Sequence, residues 1–434
     1  MKNLKKGFAL IVVLVISSCS KPDSGGSSSS NDYNATLFTE STGWNRVAII
    51  GNIPASLGVA NWITPLDLNI VDNKAQVILY QNSNFQQQNN FKASYTMGSN
   101  AVATITSLNQ LYFFQDSSNG VQYGKILFKP NTYDVETINS TGDHYFRLSN
   151  EAGTQITTHY MNNTYTGGTK LLSNGDWLTG GLYNSVAPIY YYYTRATNSW
   201  TVNGGTSSSD LTYNIDYVPF KIADGSLLGF RFFNKNNPEK AFLSIADLSP
   251  TIAYQDRFIE EHPEYAPTAY IIHQFDPNET IFASTVTIAN YAVEDNSFTV
   301  VLREENNTTH NYTLSAFKWT KGAVAFQNLY SHLPISKLLG DALGANSVCK
   351  PDGEIGVIVK EGVNGNEMTY SLATCNAGGE HRYGAVVNNT YPRAVTMLSC
   401  LRYINGSYYA VASPSLFSAE NGEGQHLDVV KLTF

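Results

Sequence analysis

The residues in this chain that could do chemistry are few and scattered. Four cysteines stand at 19, 349, 375 and 400. Eight histidines, at 144, 159, 262, 273, 310, 332, 381 and 426, show no His-x-x-x-His spacing, and no Cys-x-x-Cys accompanies them, so the sequence offers no zinc site. No Asp-x-Asp-x-Asp-Gly loop is present to wrap calcium. Serine catalysis on a nucleophile elbow would need Gly-x-Ser-x-Gly, which does not occur. Glycoside hydrolysis would need two facing carboxylates. The densest candidates, Glu260-Glu261 and Glu304-Glu305, sit in polar contexts that read as solvated charge. The chemistry of the residues therefore points to no cofactor, no metal and no enzyme.

Two further groups are candidates for contact rather than catalysis. Cys349 and Cys375 bracket two strands of one repeat and form a candidate disulfide; the alternative is that Cys349, Cys375 and Cys400 are small buried residues. The run Tyr190-Tyr191-Tyr192-Tyr193 sends alternate rings to opposite faces of a strand. That pattern reads as core between two packed sheets, with a stacking platform for a sugar or peptide as the other use.

The elements that must carry these residues are strands. Charged residues make up only 14% of the 434, aromatics reach 12%, and 28 tyrosines and 33 glycines favour strands and turns over helices. Turn signals recur at Asp72-Asn73, Asn109, Asn174-Gly175, Asp224-Gly225, Asp295-Asn296, Asp352-Gly353 and Asn405-Gly406, each between apolar runs. The Asp224-Gly225 pair, inside Val218 to Phe233, predicts a two-residue turn of the primed type. Intervals of roughly 40 to 70 residues suit four-stranded units with loops. The repeat predicts an all-β chain, a β-propeller of seven blades, with a pair of β-sandwiches as the alternative. Third strands are expected at Gln122 to Phe128, Ile189 to Tyr193, Ala241 to Ile245, Tyr312 to Trp319 and Met368 to Ala373. Fourth strands are expected at Tyr133 to Ile138, Tyr270 to Phe275, Ala323 to Leu329 and Arg382 to Val387. The chain ends on Leu427 to Leu432 with nothing after it, and Arg46 to Ile50 precedes the first repeat. The N-terminal strand is thus expected to complete the last blade and remove its open edge.

One segment departs from strand patterning. Residues 249–262 read as a helix capped by Ser249, with Pro250 at its first position and Pro263 ending it. Ile252 and Ile259 share one face and Tyr254 and Phe258 lie nearly opposite, so Tyr254 and Phe258 are the candidate residues for docking a partner. A weaker helix is expected from Ile335 to Leu343, ahead of the sixth repeat.

The N-terminus has its own pattern. Lys2, Lys5 and Lys6 precede the apolar run Gly7 to Ile16, a signal peptide over residues 1–18 too short to span a bilayer. Ile16-Ser17-Ser18-Cys19 resembles the lipobox of bacterial lipoproteins. The resemblance implies cleavage before Cys19, acylation of its thiol (palmitate-like chains) and of the new amine, and stable anchoring to a membrane. Residues 19–43 then form a flexible tether, rich in serine and glycine from Ser24 to Ser30, and residues 44–434 form the propeller domain. Surface-exported lipoproteins of the Bacteroidota carry acidic residues just after this cysteine; here Asp23 follows Lys21 and Pro22. The resemblance implies the outer membrane, with the cell surface favoured over the periplasmic face.

The formal charge is −8, and loss of a leader carrying three lysines makes it more negative, so a nucleic-acid partner is excluded. The repeated Ser-x-Asp-x-Gly-x-Thr-Trp turns of sialidases have no match; Ser173-Asn174-Gly175-Asp176-Trp177 carries some of those letters in another order. Taken together, the sequence implies a non-enzymatic interaction subunit of an outer-membrane complex, serving protein assembly, secretion or nutrient uptake, with other outer-membrane proteins as partners. The alternative is a surface lipoprotein that binds or hydrolyses glycans.

Overall fold

In a computed structural model of the chain, residues 1–32 and 33–434 form separate units. The structure describes residues 38–39, 43–53, 62–83, 87–98, 104–108, 121–129, 132–141, 145–160, 164–171, 175–183, 187–204, 215–233, 242–247, 271–274, 284–344, 347–364, 367–388, 396–414 and 425–432. The expected signal peptide, Cys19 and the helix expected at 249–262 with Tyr254 and Phe258 lie outside them, as does the expected Asn109 turn.

The chain enters through β1 (Phe38–Thr39) and β2 (Trp44–Ile53). Seven antiparallel sheets then follow among the described residues. The first holds β3 (Trp62–Val71), β4 (Lys74–Ser83), β5 (Gln87–Thr96) and β6 (Thr104–Ser107). The second holds β7 (Val121–Phe128), β8 (Val135–Thr141), β9 (Tyr145–Asn150) and β10 (Gln155–Tyr160). In the third are β11 (Thr164–Leu171), β12 (Trp177–Tyr183), β13 (Ala187–Thr194) and β14 (Ser199–Gly204). The fourth comprises β15 (Ile215–Lys221), β16 (Leu227–Phe233), β17 (Phe242–Asp247) and β18 (Ile271–Gln274), and the fifth β19 (Ser284–Glu294), β20 (Ser297–Asn306), β21 (Tyr312–Thr320) and β22 (Gln327–Ile335). After the one-turn helix α1 (Lys337–Ala342), the sixth sheet is built from β23 (Ser347–Cys349), β24 (Ile355–Asn364), β25 (Glu367–Asn376) and β26 (Gly379–Asn388). The seventh contains β27 (Thr396–Ile404), β28 (Ser407–Pro414) and β29 (Gln425–Leu432).

Consecutive strands pair within each sheet, with β1 added to β26 in the sixth and β2 to β29 in the seventh, and the best-described central strands are buried on both faces. β20 is the clearest case: six of its ten residues are buried in an unbroken run, whereas β22 on the outside of the same sheet is buried nowhere. Strand alternation sends Phe298, Val300 and Leu302 into a cluster with Val218, Phe220 and Phe230 of the fourth sheet. Val301 goes the other way, to Ile355 and Val357 of the sixth. The remaining clusters join the first sheet to the second, the second to the third, and the sixth to the seventh. A further cluster packs Tyr409 and Val429 of the seventh sheet on Leu68 and Val77 of the first, so the packing order returns to its start. Sheets that bury both faces against neighbours in cyclic order make a β-propeller. The sandwich alternative would leave each sheet one outer, solvated face, and β20 and β21 have none.

The local chemistry of the turns is mostly as the sequence implies. Asp72 and Asn73 both have positive φ, 44° and 62°, as do Asn405 and Gly406, 47° and 79°, which is what the primed two-residue turn requires. The Asp224-Gly225 turn differs. It is a five-residue turn from Ile222 to Ser226, closed by Ile222 N–H to Ser226 O (3.2 Å) and Gly225 N–H to Ile222 O (2.9 Å), with positive φ at Gly225 and not at Asp224. Asp224 instead uses its carboxylate to accept the Ser226 N–H at 3.0 Å. Lys350 to Glu354 repeats this turn, with Asp352 accepting from Glu354 N–H.

The second repeat is offset from its expected place. Gln122 to Phe128 and Tyr133 to Ile138 are expected as third and fourth strands, yet β7 and β8 are the first two of the second sheet. Their turn, Lys129 to Asp134, contains no glycine. It is held by Lys129 N–H to Asp134 O (2.9 Å) and by the Lys129–Asp134 ion pair (3.1 Å). A turn made by side chains gives no Asx-Gly signal. β22 also begins four residues later than expected, after the largely exposed turn from Lys321 to Ala325.

At the N-terminus, β2 pairs with β29 along most of its length, from Trp44 opposite Leu432 to Ile53 opposite Gln425. β1 pairs with β26 of the sixth sheet, Phe38 opposite Val387 and Thr39 opposite Val386. Phe38 and Thr39, within the tether expected over residues 19–43, are thus paired into a sheet. The expected short helix is present as α1, with Ser336 Oγ accepting the Leu339 N–H at 3.1 Å.

The paired turns give a test of packing against backbone strain. Gly225 and Gly353 share nearly the same φ, 91° and 88°, but a Cβ on Gly353 would sit 2.7 Å from Leu329 Cδ1, while one on Gly225 would meet nothing nearer than Lys221 Cε at 3.9 Å. Urea unfolding should show Gly225→Ala losing about 1 kcal/mol and Gly353→Ala losing about 1–3 kcal/mol more.

Candidate functional site

Among the described residues, several charged side chains at or near the strand turns reach across to the next sheet. Asp67 on β3 accepts the Phe128 N–H of β7 on Oδ2 (3.0 Å) and pairs through Oδ1 with Arg402 at the start of the seventh sheet's hairpin. Glu136 on β8 receives both Arg195 Nη1 (2.8 Å) and Nη2 (2.5 Å) and the Trp177 indole N–H (3.0 Å), all from the third sheet. Asp176, just before β12, takes the Lys221 ammonium of the fourth sheet at 3.0 Å, the Arg195 N–H at 2.9 Å and the Tyr192 hydroxyl. Asp224 pairs with Lys321 of the fifth sheet. From there Thr299 Oγ1 donates to Pro351 O at 2.8 Å, and Tyr408 Oη of the seventh sheet donates to Glu354 Oε1 of the sixth at 2.7 Å. The ties run once around the ring.

These ties set the electrostatics of the groups involved. Burial alone would lift the Asp176 carboxyl, but hydrogen bonds from Tyr192, the Arg195 backbone and Lys221 outweigh it and hold it below the usual carboxylate range. The Lys321 ammonium lowers Asp224 to about 2, with the Ser226 backbone bond adding to the effect. Arg195 is fixed by accepting carbonyls as well as by charge, since its Nε and Nη2 both donate to Gly175 O, at 2.9 and 2.8 Å. The bidentate geometry suits an arginine and a carboxylate that are both partly withdrawn from water.

A cleft of about 610 Å³ opens between the first and second sheets at the same turns, lined by Lys92, Lys129, Tyr133, Asp134, Asn150 and Glu151 among others. Its charges face one another. Lys92 Nζ lies 2.6 and 2.7 Å from the two Glu151 oxygens and 3.2 Å from Tyr133 O, and Glu151 also accepts the Val135 N–H at 3.2 Å. Glu136 at the cleft wall is the partner of Arg195. The arrangement holds two sheets together more than it presents an unpaired base, acid or nucleophile.

The residues singled out from the sequence fall as follows. Cys349, Cys375 and Cys400 are all free thiols, so the expected Cys349–Cys375 disulfide is not formed. Ile355 explains why: it pairs with Cys349 on one side and Cys375 on the other, which leaves a whole strand between the two sulfurs. Burial pushes each thiol up to about 12, so none is poised as a thiolate. Glu304 and Glu305 do not form a solvated pair. Glu304 is buried, accepts from Thr313 Oγ1 at 3.1 Å and lies 3.5 Å from His332 Nδ1, while Glu305 sits on the opposite face beside His310. Ser315 completes what could pass for a Ser–His–acid set, but its hydroxyl accepts the His332 backbone N–H at 3.0 Å and is turned to structure. Among the described residues no group of three His, Cys, Asp or Glu side chains could hold a metal. Glu260 and Glu261 lie outside them.

Tyr191, Tyr192 and Tyr193 of the tyrosine run are core between sheets. Tyr191 and Tyr193 pack with Trp177, Ile138 and Leu148 toward the second sheet, and Tyr192 turns the other way to Asp176, toward the fourth. Beside them His159 stacks on Trp200 with centroids 5.5 Å apart. The residues that sequence reasoning missed are the ties themselves, Asp67, Glu136, Arg195, Lys221 and Arg402. Their signal is a lone charge at the margin of a strand that is otherwise apolar, as in Pro65-Leu66-Asp67-Leu68.

Two measurements follow from this geometry. Cys375 and Cys400, both buried, should not react in the native protein with an aromatic disulfide reagent and should react after denaturation; rapid native labelling of either contradicts the burial. The Asp224 carboxyl, followed by NMR, should titrate near pH 2 and return toward 3.8 in Lys321→Met. Because the folded value lies below the unfolded one, its contribution to stability is present above pH ~4 and is lost as pH falls toward 2.

No family model matches the chain, and no curated protein matches it. Solved structures match weakly. The propeller of Dos1 is 9% identical, covers 90% of this chain and 95% of its own, with a TM-score of 0.39. AofleA from Arthrobotrys oligospora is 8% identical over 80% and 90%, with a TM-score of 0.34. A prolyl endopeptidase is 8% identical and covers 81% of this chain with a TM-score of 0.38; the chain spans 47% of that enzyme's length, and 56% of a puromycin-hydrolysing peptidase of Mycobacterium tuberculosis.

Proposed function

We propose that this chain is a lipid-anchored propeller of seven blades, closed by its N-terminal strand, that serves as a non-enzymatic interaction subunit at the outer membrane. The observation that carries the reading is Ile16-Ser17-Ser18-Cys19 followed by the serine- and glycine-rich run to Ser30, a lipobox and a spacer placed ahead of a propeller. Two structural facts support the second half of it. The seven sheets, six of four strands and one of five, with β2 supplying the outer strand of the last, favour this blade count and this closure. The charged groups that catalysis would draw on are committed to neighbours from sheet to sheet, which makes a rigid body that presents loops rather than a reaction centre.

Cys19 supplies the anchor in this reading, and the loops at the two ends of the ring supply the contact surface. Partners are other proteins of the outer membrane, in assembly, secretion or uptake machinery, and the cell-surface face is favoured.

The test has two arms. Cys19→Ser should move the protein from the membrane fraction to the soluble fraction, because acyl chains supply the membrane affinity. Affinity recovery of the wild-type protein from detergent-solubilised membranes should bring down defined outer-membrane proteins in fixed proportion. Recovery of the chain alone overturns the interaction role, and retention of Cys19→Ser in the membrane overturns the anchor.

A further inference from the structure

The N-terminal segment does more than lend one strand to the seventh sheet. β2 is the outermost strand there, paired on one side with β29, and its ladder shifts register twice, between Arg46 and Ala48 and again between Ile50 and Ile53. An outermost strand with an interrupted ladder and a loose N-terminal end would fray from that end. Its other end runs on through residues 54–61 into β3 of the first sheet.

The loose end is tied. Phe38 and Thr39 pair with Val387 and Val386 on the outer edge of β26, in the sixth sheet. A few residues on, Trp44 opens β2, pairs with Leu432, and sends its indole N–H back to Tyr383 O of the same β26, at 2.9 Å. Trp44 is fully buried among Tyr370, Leu372 and Tyr383 of the sixth sheet and Val430 and Leu432 of the seventh. One short stretch of chain therefore holds a backbone ladder on one sheet, a backbone ladder on the next, and a side-chain bond between them.

We infer that Phe38 and Thr39, through their ladder on β26, and Trp44 together form a strap that pins the closing strand at its N-terminal end, so that whatever is attached before Phe38 cannot peel β2 from β29. Strain arriving along the preceding residues meets β26 and Trp44 first. If the chain is anchored through Cys19, as proposed above, that strain comes from the membrane; the strap itself does not depend on that anchor, and its test is independent of lipidation. The strap also covers Val386 and Val387 at a strand edge that would otherwise be open to another chain.

Hydrogen exchange followed by mass spectrometry on the full chain carrying Cys19→Ser tests the strap. Three further variants are compared: Thr39→Pro, which cannot keep the β1 ladder, Trp44→Phe, which keeps the ring but removes the donor, and the two together. In the double variant, exchange across 425–432 and 383–388 should accelerate about tenfold or more while 297–306 in the fifth sheet stays at the wild-type rate. Each single variant should give a smaller acceleration confined to the same two segments. Exchange at 425–432 that matches wild type in the double variant overturns the inference. If the double variant also exposes 297–306, the Trp44→Phe protein decides: unchanged exchange at 425–432 there overturns it equally.

Discussion

Central strands such as β20 and β28 are buried on both faces, and a sheet built on such strands cannot shelter itself. Phe298, Val300 and Leu302 need the fourth sheet while Thr299 and Val301 need the sixth, and the same division runs through Tyr408 and Tyr409 in the seventh. Only an arrangement in which every sheet has two neighbours satisfies that demand, and for a chain with two ends this means the last sheet must meet the first. The contact of Val429 and Tyr409 with Leu68 and Val77 is where the requirement is met. The N-terminal strand follows from it: a seventh sheet of three strands would leave β29 with an open edge.

The polar ties occupy the margin of that apolar ring and trade one cost for another. Withdrawing Glu136 or Asp67 from water costs several kcal/mol unless every lone pair finds a donor. Glu136 finds three N–H groups from one neighbouring sheet, and Asp67 finds one partner on each side. A sheet that shifted by one residue would strand these groups, so the ties select the register in which sheets meet. The seam between the third and fourth sheets is held by Asp176, Tyr192 and Lys221. These side chains are committed to aligning neighbouring sheets.

The ring is legible in the sequence because primed turns have a chemical signature. Asp72-Asn73 and Asn405-Gly406 need positive φ at two successive residues, and few residue types supply it. Where the turn is built from side chains, as Lys129 and Asp134 build theirs, no such signature exists, and the second repeat is displaced by half its length. The Cys349–Cys375 pairing fails for a reason that spacing cannot show: both residues face the same Ile355 from opposite sides. Glu304 reads as solvated because its neighbours in sequence are polar, while its neighbours in space are Thr313 and His332. The inter-sheet ties join positions such as 67 and 402, or 136 and 195, and no local pattern relates them. The anchor proposed at Cys19, by contrast, rests wholly on local sequence.

Charges join neighbouring sheets at the margin of the apolar ring, and the Glu136–Arg195 pair tests their role most directly. A double-mutant cycle of Glu136→Gln and Arg195→Met, measured by urea unfolding, should give a coupling of about 2 kcal/mol or more, with each single variant losing more than the double variant's loss divided between them. A coupling below about 0.5 kcal/mol, the level of an exposed surface pair, would contradict the claim that these groups serve to hold the ring together.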